Sequence, residues 1–138
     1  MTRLELHPLA SDKRARELAA VVERLQREGI RVVVWVADEG RRQILDDYLW
    51  TFDKLAFVPH LLWTAGLGDV DDPVVLVGEP VNPNRAAVLV VGDELPPGAW
   101  AASFDEVHDL IEPGSGGERR RAYWESWRAD ADAAPEPP

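Results

Sequence analysis

Apolar positions along the chain change period several times, and each change marks an element. Leu4 and Leu6 alternate with Glu5 and His7, the period of a strand with one buried face. From Ala15 the spacing becomes helical: Ala15, Leu18, Ala19, Val22 and Leu25 share a face, Ser11 is placed to cap the start, and Gly29 to end it. Ile30 to Ala37 is a continuous apolar run broken only by Arg31, as expected of a strand covered on both faces in the centre of a sheet. Asp38 then caps a second helix, Glu39 to Leu49, whose stripe is Ile44, Leu45, Tyr48 and Leu49.

The alternation continues. Ala56 to Pro59 reads as a short strand, and Val74 to Val77 and Ala87 to Val91 as two buried ones. Between these two, Pro80, Asn82, Pro83 and Asn84 supply turn chemistry that a central strand cannot hold. Pro96-Pro97-Gly98 and the apolar patch around Trp100 predict one helical turn covering the sheet edge. Phe104, Val107, Leu110 and Ile111 carry a last strand, although Phe104 to Val107 also fits a helix. Ser115 and Glu118 have the form of a capping box opening a final helix to about Ala129. Residues 131–138, acidic and proline-rich, predict a disordered tail. Repeated strand-helix-strand units imply an α/β fold over residues 1–130. It is a single three-layer domain, a mainly parallel sheet with helices on both faces and Rossmann-like topology.

Composition narrows the function. The 138 residues are enough for one core without staples, and with no cysteine there is neither a disulfide framework nor a thiolate metal site. Met1 to Leu4 lacks the basic and apolar regions of a signal peptide, and no apolar run nears the roughly 20 residues that span a bilayer, so a cytoplasmic protein is expected. A net charge of −10 argues against the whole molecule binding nucleic acid, which requires a basic field. The arginines nevertheless cluster, Arg119, Arg120, Arg121 and Arg128 near the C-terminus and Arg41 and Arg42 at the start of the second helix.

Candidate chemistry is sparse. His7, His60 and His108 lie far apart with no acid at metal-ligand spacing, so no metal and no cofactor are expected. Gly66-Leu67-Gly68-Asp69 fits neither a phosphate loop nor a calcium loop, and Pro113 to Gly117 precedes a helix but lacks the Gly-Lys-Ser/Thr sequence. No serine sits in a Gly-x-Ser-x-Gly elbow. No catalytic constellation is expected.

Aromatic residues carry the strongest signal. Tyr48, Trp50, Phe52 and Phe57 fall within ten residues at the end of the second helix, either as core plugs or as the lining of a groove. On the last helix Arg121, Trp124 and Arg128 share one face and Arg120, Tyr123 and Trp127 an adjacent one. Either the aromatic residues anchor the helix and the arginines are solvated, or guanidinium and indole together receive a carboxylate beside an aromatic ring.

The run Leu49-Trp50-Thr51-Phe52-Asp53, followed by Phe57-Val58-Pro59-His60, resembles the signature of the chi subunit family of bacterial DNA polymerase III. Val32 to Glu39 looks like the family's second strand with its acidic exit. Arg121 to Arg128 is similar to its arginine-rich, aromatic C-terminal helix, so the likeness covers roughly residues 3 to 129. It implies a non-catalytic replication accessory subunit, placed at the nucleoid and replisome. Such a subunit links the clamp-loader and polymerase assembly to the acidic C-terminal tail of the single-stranded-DNA-binding protein, touching DNA only indirectly, and in some bacteria it also binds the psi subunit. By resemblance the tail pocket uses Trp50 and Phe57 with Arg121 and Trp124, and Trp127 and Arg128 as neighbours. Glu125 and Gly117 depart from the family's basic residues, which implies weaker affinity for an acidic tail. Two alternatives remain open: an adaptor for single-stranded-DNA-binding protein without a psi partner, and a Rossmann-like nucleotide-binding enzyme, against which the missing phosphate fingerprint weighs.

Overall fold

The computed structural model describes residues 2–53, 55 and 57–133, the last three by backbone alone. Six strands form one sheet: β1 (Arg3–Pro8), β2 (Val32–Trp35), β3 (Leu61–Leu62), β4 (Val74–Val77), β5 (Val88–Val91) and β6 (Glu106–Ile111). They are all parallel, in the order β1-β6-β5-β2-β4-β3, so β2 is central between β4 and β5. The helices are α1 (Arg14–Arg27), α2 (Glu39–Leu49), α3 (Gly98–Ala101) and α4 (Ser115–Ala133).

The connections from β1 to β2 and from β2 to β3 run in one direction across the sheet, and those that follow run back. With right-handed crossovers the two sets must cover opposite faces. Burial agrees. Val32, Val34 and Val36 pack with Leu18, Val22, Leu45 and Leu49 of α1 and α2, whereas Val33 and Trp35 pack with Ala101 and Trp124 of α3 and α4. Valines 32 to 34 are fully buried, each worth about 1.5–3 kcal/mol relative to exposure, which is why this run occupies the middle of the sheet.

Several local expectations change. The N-cap of α1 is Lys13 rather than Ser11. The Ser11 hydroxyl instead donates to Glu17, whose carboxylate also accepts from the Ala10 and Ser11 amides, so the two residues tie down the turn before the helix. Asp38 does cap α2, accepting from the Arg41 amide, and Gly29 ends α1 with φ of 79°. The strand expected at Ala56 to Pro59 forms instead at Leu61–Leu62. Pro59 has no N–H for a ladder, and Ala56 lies outside the described residues. Phe104 precedes β6 rather than belonging to it, and β6 is an internal strand. The Trp100 turn covers the sheet face at the central Trp35 (ring centroids 5.4 Å apart), not the edge. Ser115 is the first residue of α4 rather than its cap; Gly114 stands before it with φ of 95°. The α4 helix continues to Ala133, past the expected start of the tail, and residues 134–138 lie outside the described residues. No helix among the described residues is long and apolar enough to cross a membrane.

Candidate protein-interaction sites

The expected site residues fall into two groups on opposite sides of the molecule. At the end of α2 the chain turns back toward β3, and His60, 6% exposed, pins that turn. Its Nδ1 meets the Val58 carbonyl at 2.7 Å and its Nε2 faces Asp46, at 3.0 Å from the backbone oxygen and 3.1 Å from Oδ1. The Trp50 ring lies on this imidazole with centroids 4.0 Å apart, and Phe57 packs beside it at 6.0 Å. Phe52 turns inward and joins Tyr48 against the core. Trp50 remains 49% exposed and Phe57 70%, so this is an apolar surface patch built on a fixed histidine.

The arginines and tryptophans of α4 are elsewhere. The helix packs on the face opposite α2, over β6, which stands four strand spacings from β3, about 19 Å at the usual 4.8 Å separation. A single pocket joining Trp50 and Phe57 to α4 is therefore not formed. Three of the expected ligand residues make structural bonds. Trp124 is fully buried and its Nε1 donates to Asp109 at 2.7 Å. Trp127 donates from its Nε1 to the Gly98 carbonyl at 3.1 Å, and Arg128 donates to the Leu4 carbonyl at 3.0 Å, fastening the helix to α3 and β1.

Asp109, on β6, organises this side. Its buried carboxylate accepts from its neighbour's amide at Leu110, from Trp124 and from the Arg120 guanidinium, and Arg14 stands 3.6 Å away. A buried charge is tolerated when it is paired and its lone pairs are filled, and here both conditions hold. Nothing in the pattern of the chain singled out Asp109 or Arg14, because β6 carries Glu106 and His108 beside Asp109 and no periodicity marks which of the three is buried as a charge.

Arg121 behaves differently. It is half-buried, has no ion-pair partner among the described residues, and lines a cleft of about 200 Å³ with Pro8, Leu9, Ile111 and Pro113, whose wall also carries Glu112 and Glu118. An apolar floor beside an uncommitted guanidinium suits a ring attached to a carboxylate. Gly117 forms part of the same wall, and a Cβ there would collide with the Glu112 carbonyl, so the close approach of α4 to the end of β6 leaves no space for a basic side chain at this position.

At the carboxyl ends of β2 and β5 the following helices diverge to opposite faces, the crevice in which α/β sheets usually hold ligands. In this chain Asp93 fills it. Its carboxylate accepts from the Ala37 and Asp38 amides at 2.9 and 3.0 Å, the donors that an incoming phosphate would use. Among the described residues there is no cluster of three or more His, Asp or Glu arranged to hold a metal ion.

These features define a class: a doubly wound parallel α/β domain whose switch-point amides are taken by its own carboxylate and whose exposed specialised surfaces are an aromatic patch and an arginine cleft. The sequence model of the family described as DNA polymerase III chi subunit, HolC, matches residues 1–134. The chain is 34% identical over 115 residues to DNA polymerase III subunit chi of Pseudomonas aeruginosa, a match covering 80% of this chain and 78% of that one. It is 23% identical over 97 residues to the probable DNA polymerase III subunit chi of Rickettsia prowazekii, covering 66% of this chain and 54% of the relative. The chain belongs to the DNA polymerase III chi subunit family.

Proposed function

We propose that this chi-family chain is a non-catalytic linker in the replisome that uses its two surfaces for two partners. The Arg121 cleft takes the C-terminal tail of the single-stranded-DNA-binding protein. The terminal aromatic ring rests against Leu9, Ile111 and the flanking prolines, and the terminal carboxylate pairs with Arg121. The Trp50–Phe57 patch faces the polymerase assembly, through the psi subunit or the clamp loader itself. The observation that carries this reading is the separation of the two sites across the sheet, since a linker must hold both partners at once.

Burying the tail's ring is favourable only if its carboxylate is paired, so the two parts of the cleft act together. Fluorescence anisotropy with a labelled peptide ending in Asp-x-Pro-Phe tests this. The variant Arg121→Ala should lose about 2 kcal/mol, roughly 30-fold in affinity, and amidating the peptide's C-terminus should cause a similar loss. Equal binding by the folded variant, or no binding by the wild type at low salt, would rule the assignment out.

A further inference from the structure

Further clefts adjoin the Arg121 cleft along the carboxyl edge of the sheet. Leu9, Glu112 and Pro113 are shared between that cleft and a second one of about 410 Å³ under the turn before α1. Arg14 and Glu112 continue into a third, also about 410 Å³, above the ends of β5 and β6. Arg14, Arg41 and Gly92 lead from there into an apolar groove of about 250 Å³ between α1 and α2, floored by Leu18 and Leu45 and rimmed by Tyr48 and Ile44. The four clefts adjoin through these shared residues and succeed one another in the strand order from β1 to β2, a row called the trough below.

Two cations in this trough are incompletely satisfied. Arg14 donates through Nη1 to the Leu110 carbonyl, but its buried Nη2 has no hydrogen-bond partner among the described residues, and Asp109 is 3.6 Å away and already shared with Arg120 and Trp124. Burial pulls the Arg14 pKa below its ordinary value, with Asp109 opposing, as expected of a cation short of counter-charge. Arg41 has an exposed side chain with no ion-pair partner among the described residues. At the far end Ile44 is 68% exposed, an apolar rim of the groove.

Carboxylates in the trough define what it excludes. Asp93 is occupied by two amides, and Glu112 reaches back to Gly116 at the start of α4, where a Cβ would lie 2.6 Å from its Oε1. Together with Asp12 and Glu94 they oppose a continuous polyanion such as single-stranded DNA. They tolerate a peptide whose acids are spaced to meet individual arginines.

We propose that the peptide held at Arg121 continues along this trough, with upstream carboxylates at Arg14 and Arg41 and an upstream apolar side chain in the α1–α2 groove. This rests on the reading of the Arg121 cleft given above. From β1 to β2 is three strand spacings, about 14 Å, which about four extended residues cross. With one residue in the Arg121 cleft and one in the α1–α2 groove, the recognised segment is at least about six residues, within the span of an eight-residue peptide.

Two eight-residue peptides test it on the full chain by NMR titration, acetyl-Phe-Gly-Asp-Gly-Asp-Ala-Pro-Phe and the same peptide with its first five residues replaced by glycine. The acidic peptide should bind about ten-fold tighter and alone shift the Arg41 and Ile44 amides. Arg41→Ala and Ile44→Ser, both at exposed positions, should each weaken the acidic peptide about three-fold and leave the glycine peptide unchanged. If the two peptides bind equally and both variants are neutral, the trough is unused while the Arg121 reading stands. If neither peptide binds, the Arg121 reading fails and this inference with it. Equal weakening of both peptides by Arg41→Ala would mean a general field instead of a register, and competition by an oligo-dT would make the occupant nucleic acid; either overturns the proposal.

Discussion

The indole nitrogen of Trp124 and the carboxylate of Asp109 are 2.7 Å apart in the buried layer between α4 and β6. A side chain used this way holds the helix in place and cannot also receive a ligand. On the same helix Trp127 spends its one side-chain donor on the Gly98 carbonyl, and the exposed Arg128 commits its Nη2 to the Leu4 carbonyl. Arg121 is left as the residue of the expected α4 set that faces an open cleft.

Trp124→Phe keeps most of the apolar volume and removes one donor from a buried acceptor. It should cost about 1–3 kcal/mol, read as a fall in melting temperature of several degrees, with tail-peptide affinity unchanged within about two-fold. A variant that melts like the wild type but no longer binds the peptide would place Trp124 at the ligand after all.

Trp50→Ala and Phe57→Ala should leave the Arg121 cleft intact, because their patch lies across the sheet from α4. Peptide titrations of the two variants should match the wild type, whereas capture of polymerase-assembly subunits should drop, by about ten-fold or more for a hot-spot aromatic. A fall in peptide affinity comparable to that of Arg121→Ala would mean that the two surfaces are one.

His7 and His108 give the fold a pH dependence of definite sign. The His7 Nε2 is 2.8 Å from the His108 Nδ1 and the rings are stacked at 5.0 Å. Burial lowers the pKa of both. Arg24 adds to this at His7 and His7 adds to it at His108, against the pull of Glu5 and Glu106 on both and of Asp109 on His7. A folded pKa below the unfolded one means that the unfolded chain binds more protons. Stability is therefore lost as pH falls through the unfolded value of about 6.5 toward the folded values. Thermal melts from pH 7.5 to 5 should fall, and His108→Asn should flatten the slope over that window. An unchanged slope in a folded variant would assign the effect to other groups.

Some of this architecture was legible because it is local. The apolar run around Val32 to Val36, the α1 stripe from Leu18 to Leu25, the Asp38 cap and the Gly29 stop each depend on neighbours within a turn or a strand and stand where the periodicity put them, although Ala15, expected in the stripe, is exposed. The aromatic motif was legible too, as far as Trp50 and Phe57 being exposed together. The order of the strands was not, because it follows from non-local pairing. It is that order, through the hand of the crossovers, that sends α2 and α3 to opposite faces; α4 packs on the α3 side, which divides one expected pocket into two surfaces.

Residue roles on α4 show the same division. Periodicity lines up Arg120, Arg121, Tyr123, Trp124, Trp127 and Arg128 on adjoining faces without saying which face is buried, since aromatic and guanidinium groups suit core and surface alike. Composition and spacing determined by themselves that this would be an α/β domain with an arginine-rich aromatic helix at its end. Only the tertiary structure, by bringing Asp109 of β6 under Trp124 and Arg120, decided which of those residues hold the fold and left Arg121 lining an open cleft. A buried carboxylate must collect its donors from whatever helix lies above it, and that helix is fixed by the sheet.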